Sequence, residues 1–376
     1  MNDSTAFIAI QLINKVLQNT SKVDFSSAIK WQEVFSFAKD HRLSSITFYA
    51  LEELVKEKIV EIDEGLYEKW RMEREKQRVI NLAQLYEIQK LEGIFEKQNI
   101  PYLLFKGSKI KELYPKSDMR EMTDIDILLQ NRDMKKTCEI FRNNDYMIDK
   151  EYPNGEIQAI KKPFVLVELH DHLFFRSQEK FYKYFKLLTD TMFESNQDKN
   201  ELCWDKTDEY VYIFCHFYKH FSNRGAGIRY FVDLWLFKKK FSSEIDWIRV
   251  NSELQKLGLL TTYEECMAIN DNWFKNGIRS PNLELEKYIF SSGVYGTFDH
   301  FLANNISRTG GTTKYIISRI FPAKNQMMDV YPEMNNSSIF LPYYWIKRWG
   351  QILMTRRERV TFEMKYVFKR FYNQNK

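Results

Sequence analysis

From residue 1 to 98 the apolar positions recur at helical spacing, and no alternating stretch suggests a strand. "AFIAIQLINKVLQ" reads as one helix and "WQEVFSFAKDHRLSSITFYALEEL" as one or two more. "EGLYEKWRMEREKQRVINLAQLYEIQKLEGIFEKQ" contains no Pro and reads as one long helix, with Leu85, Ile88, Leu91 and Phe95 marking its buried stripe. The pattern changes at residue 99. "IPYLLFKG" is a short apolar run closed by Gly, hence a strand. "SKIKELYP" follows as a short helix, with Ser108 as N-cap and Pro115 beyond its end. "DIDILL" predicts a second strand and "RDMKKTCEIFRNN" a helix. "YMIDKEY" and "IQAIKKP" predict a hairpin around "PNG", and "FVLVELHDHLF" predicts a further strand. Helical spacing then returns in "DEYVYIFCHFYKHF" and "IRYFVDLWLFKKKF", joined by "SNRGAG", and in "EIDWIRVNSELQKLG". The expected architecture is α+β. A helical region spans 1–98, a small mixed-sheet core 99–180, a second helical region 181–339, and a basic, aromatic helical tail 340–376.

Length and composition narrow this picture. The 376 residues suffice for two or three domains, and 44% hydrophobic with 28% charged residues is the balance of a soluble globular chain. Cys138, Cys203, Cys215 and Cys266 are scattered without metal-type spacing and predict reduced thiols rather than a disulfide framework. No signal peptide and no run long enough to span a membrane is expected, so a cytoplasmic location is. Nine Lys/Arg against two Glu give residues 340–376 a charge of +7, which leaves −2 of the total +5 for the remainder. By charge, the bulk of the chain is not a nucleic-acid surface, and only the tail could be one.

The candidate chemistry lies in residues 99–180. Asp124 and Asp126 stand at i and i+2 in an apolar run, a spacing that turns both to one face of a strand. Two carboxylates side by side repel unless a cation lies between them, and paired acids with room for phosphate oxygens suit Mg²⁺. Sixteen residues before them, Lys106–Gly107–Ser108 joins a strand to a short helix. Gly permits close backbone approach, the helix start offers free N–H groups to a phosphate, and Lys106 adds charge. Glu168 in "FVLVELH" supplies a third acid on the same strand face as Leu166 and His170. Such a carboxylate can assist an attacking hydroxyl in metal-dependent phosphoryl transfer.

This constellation resembles the DNA polymerase β-type nucleotidyltransferase superfamily, whose pattern is a Gly-Ser-like turn, Asp-x-Asp on a strand and a later strand acid. Within it the chain is similar to the bacterial uncharacterised nucleotidyltransferase family found among cell-surface polysaccharide and natural-product gene clusters. The similarity is carried by "WQEVFSFAKDHRL", "FKGSKIKELYPKSDMREMTDIDILL", "VELHDHL", "HFYKHFSNRGAGIRYFVDLWLF" and "YPEMNNSSIFLPYYWIKRW". The resemblance implies a polymerase β-like core and an enzyme that transfers a nucleoside monophosphate from an NTP, such as ATP, with Mg²⁺ or Mn²⁺ as cofactor. It implies a hydroxyl acceptor on a small molecule or sugar derivative. It assigns Lys106, Gly107 and Ser108 to the phosphate-binding turn, and Arg120, Lys219 and Arg229 to nucleotide contacts. Asp124, Asp126 and Glu168 become the catalytic, metal-binding acids. His170, His216, His220 and Asp233 fall on polar positions near the substrate. A similar Lys-Gly and Asp-x-Asp arrangement occurs in toxin nucleotidyltransferases, which keeps tRNA or protein open as acceptors. A catalytically silent nucleotide-binding protein is a third reading.

Plainer readings stand beside these. Ser108 can be a helix cap whether or not it meets phosphate. Arg229 and Asp233, at i and i+4, can simply pair with each other on a helix. His216 and His220, together with the His-x-His pair in "ELHDH", could suggest zinc, but no zincin Glu accompanies the former and the cysteines are not arranged as ligands. The aromatic tail could meet an anionic membrane or a phosphate backbone, yet a solvated basic face on packed helices is the simpler expectation.

Overall fold

A computed structural model describes residues 3–18, 29–153, 155–196, 199–334, 338–355, 363 and 365–367. The chain is α+β, as the pattern predicts: a five-stranded mixed sheet set among helices. Helices α1 (Asp3–Gln18), α2 (Trp31–Asp40), α3 (Ser44–Lys56) and α4 (Glu64–Gln98) come first. The sheet region follows as β1 (Tyr102–Leu104), α5 (Gly107–Ile110), β2 (Ile125–Leu129), α6 (Asn131–Arg142), β3 (Met147–Glu151), β4 (Ile157–Lys161) and β5 (Val165–His170). Helices α7 (Glu179–Ser195), α8 (Lys206–Phe221), α9 (Ile228–Phe241), α10 (Trp247–Leu257) and α11 (Leu260–Asp271) pack beyond it. The chain continues through α12 (Leu283–Ser292), α13 (Phe298–Thr309), α14 (Thr312–Ile320), α15 (Lys324–Val330) and α16 (Leu341–Thr355). Most of the basic tail after α16 lies outside the described residues.

The long α4 is bounded by its own chemistry. The Asp63 side chain accepts the Leu66 N–H at 2.9 Å, and Asn99 ends the helix at φ +50°, a left-handed conformation that Asn tolerates. Its buried line differs from the expected one. Ile88, Leu91 and Phe95 are buried but Leu85 is only half-buried. The line instead continues through Gln84, Asn81, Gln77 and Arg74. It is polar there because it meets loop backbone and hydroxyls: Asn81 donates to Ser117 Oγ at 2.9 Å and Gln84 to the Met122 carbonyl at 3.0 Å.

The strand order is β1-β2-β5-β4-β3. Only β2 and β5 run parallel, joined by a crossover that contains α6 and the β3–β4 hairpin. Ile125, Ile127 and Leu129 of β2, with Val165, Val167 and Leu169 of β5, pack against α4 and α6 on one side. Alternation then turns Asp126 and Leu128, and Leu166, Glu168 and His170, to the other side. A larger apolar core there unites α1–α3 with α8–α11 and takes in Leu128 and Phe105 from the sheet. His41, at the end of α2, ties the two helical groups together. Its Nδ1 accepts the Ile228 N–H and its Nε2 donates to the Phe290 carbonyl, both at 3.1 Å.

Two local expectations are corrected. Helix α5 opens at Gly107, with Lys106 in the cap position, so Ser108 lies inside the turn and does not cap it. Arg229 and Asp233 do not pair: the Arg229 guanidinium donates to the Glu121 carbonyl, while Asp233 is taken by Arg120.

Candidate active site

A cavity of about 460 Å³ lies between the open face of the sheet and helices α8 and α9. The β2–β5 register sets Asp126 directly beside Glu168, and β2 begins one residue after Asp124. Asp124, Asp126, Glu168 and His170 therefore line one wall. Asp126 Oδ1 accepts from Lys106 Nζ at 2.5 Å and lies 2.9 Å from His170 Nε2. Glu168 Oε1 accepts from Gln158 at 2.7 Å, across the adjoining β4 register, while its Oε2 stays 3.8 Å from His170 Nε2.

Burial would raise the Asp126 carboxyl, but the Lys106 charge and the His170 contact outweigh it and hold the group down at about 2. Lys106 responds in kind: burial disfavours its ammonium, and Asp126 more than restores it. One ammonium does not neutralise the whole cluster. Burial first, then the charge of Asp126, pushes Asp124 up to about 6. Burial first, then Asp124 and Asp126, pushes Glu168 up to about 7. The donor set fits a divalent cation: one ligand atom each from Asp126, Glu168 and His170 lie within 4.8 Å of one another.

The corner beside the acids is tightly built. Lys106 sits at φ +52°, a costly conformation for a residue with a side chain, and so brings its ammonium back over the Phe105 ring to Asp126. A Cβ on Gly107 would lie 2.6 Å from Arg120 Nη1 and 2.7 Å from Met122 Sδ, so a larger residue fits only if those side chains shift. Arg120 is held there by Asp233, which accepts from its Nε and Nη2 at 2.8 Å each and from the Tyr114 hydroxyl at 2.8 Å. Arg120 and Asp233 touch the cavity, but their charges are spent on each other. Ser108 is buried against Met122, 4.0 Å from its sulfur, and is not part of the cavity wall.

The facing wall carries Tyr212, His216, Lys219, His220 and Arg229. Tyr212 Oη, His216 Nδ1 and Arg229 Nε are buried and lack a hydrogen-bond partner among the described residues. Burial, then the Lys106 charge, lowers Lys219 to about 8; burial, then Lys219, lowers His220 to about 3. The His216 and His220 rings meet at 4.7 Å, but among the described residues no third metal-ligating side chain joins them. Among the described residues the two histidine pairs therefore do not combine into one zinc site.

Several residues of the site escape sequence reading. Gln158 reaches Glu168 only through the β4–β5 register, which alternation alone does not fix. Tyr212 reads as one more core aromatic of α8. Tyr295, which lines the cavity and meets Thr123 Oγ1 at 2.7 Å, comes from a distant loop without any motif. Asp171 and His172 stand where this cavity adjoins a second one of about 440 Å³. In comparison with known proteins, residues 27–275 match the model of a family described as uncharacterised nucleotidyltransferase. No curated protein and no solved structure matches the chain.

Proposed function

The chain belongs to the uncharacterised nucleotidyltransferase family, which implies an NTP substrate, and on that premise we propose a Mg²⁺- or Mn²⁺-dependent transfer of a nucleoside monophosphate to the hydroxyl of a small molecule or sugar derivative. The observation that carries this reading is the in-register pairing of Asp126 with Glu168 on the cavity face, with Asp124 beside them. A divalent cation at these acids supplies charge neutralisation to the phosphate oxygens and the leaving group. Asp124, Asp126 and Glu168 hold that charge in place. The Lys106–Gly107 corner receives phosphate oxygens through its backbone and ammonium, and Lys219 and Arg229 face them from the helices.

In the reaction the acceptor oxygen bonds to the α-phosphorus as the bond from that phosphorus to the β-phosphate oxygen breaks. Pyrophosphate leaves with the bonding electrons. Glu168, whose Oε1 is fixed by Gln158, orients the acceptor hydroxyl, and the hydroxyl proton passes to solvent water. Arg120 and Asp233 act by packing under the corner. The adjoining cavity of about 440 Å³ supports an acceptor of small-molecule size, since each cavity lies within the range of about 300–1,000 Å³ usual for such ligands.

The test is incubation with NTP labelled at the α- or the γ-phosphate and a small-molecule extract, with the Asp126→Asn variant in parallel. Label from the α-phosphate should enter a new product, label from the γ-phosphate should leave in pyrophosphate, and Asp126→Asn should do neither. Equal labelling by the two proteins refutes the assignment.

A further inference from the structure

The expected centre of such an enzyme is an all-oxygen Mg²⁺ site of three carboxylates. The geometry around Asp126 points elsewhere. His170 follows Glu168 by two residues on β5, so both side chains project from one strand face into the cavity. The β2–β5 register lays Asp126 alongside them. His170 Nε2 is 2.9 Å from Asp126 Oδ1 and 3.8 Å from Glu168 Oε2. Two ligands on one ion at ordinary bond lengths of about 2.1 Å stand ~3 Å apart when at right angles and ~4 Å apart when opposite. Both separations fall in that interval. Among the described residues this trio is the only group of three or more such side chains with ligand atoms this close.

We propose that His170 is a direct ligand, and that the resident cation is a first-row transition-metal ion held by one nitrogen and two carboxylate groups rather than an all-oxygen Mg²⁺, with Mn²⁺ as its spectroscopic probe. Imidazole suits ions such as Fe²⁺, Ni²⁺, Cu²⁺ and Zn²⁺, whereas Mg²⁺ takes oxygen donors and water. Lys106 has a matching part. Its ammonium rests on the Asp126 oxygen that faces His170, and so supplies positive charge at the spot where the ion's charge would fall. Asp124 stands outside the trio and adds its negative charge beside the ion. This inference rests on the nucleotidyl-transfer reading for the site's purpose, but its test does not depend on turnover.

The test is pulsed electron paramagnetic resonance on the full-length protein loaded with Mn²⁺ alone, and again with added inorganic tripolyphosphate, which contains no nitrogen. The expected result is strong nitrogen modulation of the bound Mn²⁺ signal. Histidine labelled with the heavy nitrogen isotope should change it without any substitution, and His172→Gln, the nearest alternative imidazole in sequence, should leave it intact. His170→Gln should abolish the modulation and weaken Mn²⁺ binding at least tenfold. Bound Mn²⁺ without nitrogen modulation, lost on Asp126→Asn, would overturn the histidine ligand and leave nucleotidyl transfer standing. No Mn²⁺ binding under either condition would overturn both.

Discussion

Breaking the Arg120–Asp233 pair should cost far more than its place behind the site suggests. Arg120 is 6% exposed and Asp233 2%, and two hydrogen bonds of 2.8 Å join them. Asp233→Leu leaves a guanidinium charge stranded among Tyr114, Met122 and the Gly107 corner; Arg120→Met leaves a carboxylate with the Tyr114 hydroxyl as its hydrogen-bond partner among the described residues. Removing one partner of a buried pair costs about 3–5 kcal/mol. With an unfolding entropy of ~2.1 cal/mol/K per residue, this chain of 376 residues should lose about 4–6 °C in Tm for either single variant. Replacing both partners by apolar residues is about neutral in such cases, so Arg120→Met/Asp233→Leu should melt near the wild type. The assay is differential scanning calorimetry on the four proteins of the cycle. Double-variant loss equal to the sum of the single losses, or single losses below ~1 kcal/mol, would refute the claim that the two charges are coupled and buried.

Two further outcomes follow from the same geometry. Gly107→Ala forces a methyl against Arg120 and Met122, and overpacking of this kind costs about 1–3 kcal/mol; urea unfolding should show that loss, and nucleotide-induced stabilisation should fall with it. His41 is buried, and burial lowers it from 6.5 to about 4, so its contribution to stability is complete above pH 6.5 and is lost as pH falls toward 4. That shift corresponds to about 3 kcal/mol, which pH-dependent denaturation should register and His41→Gln should remove from the slope.

The sheet and its acids were legible because strands declare themselves by period and by turn residues. "DIDILL" and "FVLVELH" alternate or run apolar against polar flanks, and both became strands that share a face. The order of the chain does not fix these two strands as neighbours, since a hairpin between them is free to pair with β2 instead. The polar middle of α4 misled the reading of Leu85, because a helix that packs on loop backbone buries amides instead of leucines. The α5 start moved by one residue because Lys106 adopts a backbone conformation that propensity disfavours. Asp233 looked like a partner for Arg229 at helical spacing, but a bidentate contact from Arg120, 113 residues away, takes the carboxylate instead. The cavity's aromatic and amide members, Tyr212, Tyr295 and Gln158, carry no motif, and only tertiary placement gives them a role.

Divalent cations gathering at the acids of β2 and β5 are the central requirement of the proposed chemistry. Crystals soaked in Mn²⁺ and measured for anomalous scattering would test this directly. The predicted result is a strong peak within bonding distance of Asp126 and Glu168, absent in Asp126→Asn crystals. Ordered Mn²⁺ elsewhere in the molecule, with no peak at these two side chains, would contradict it.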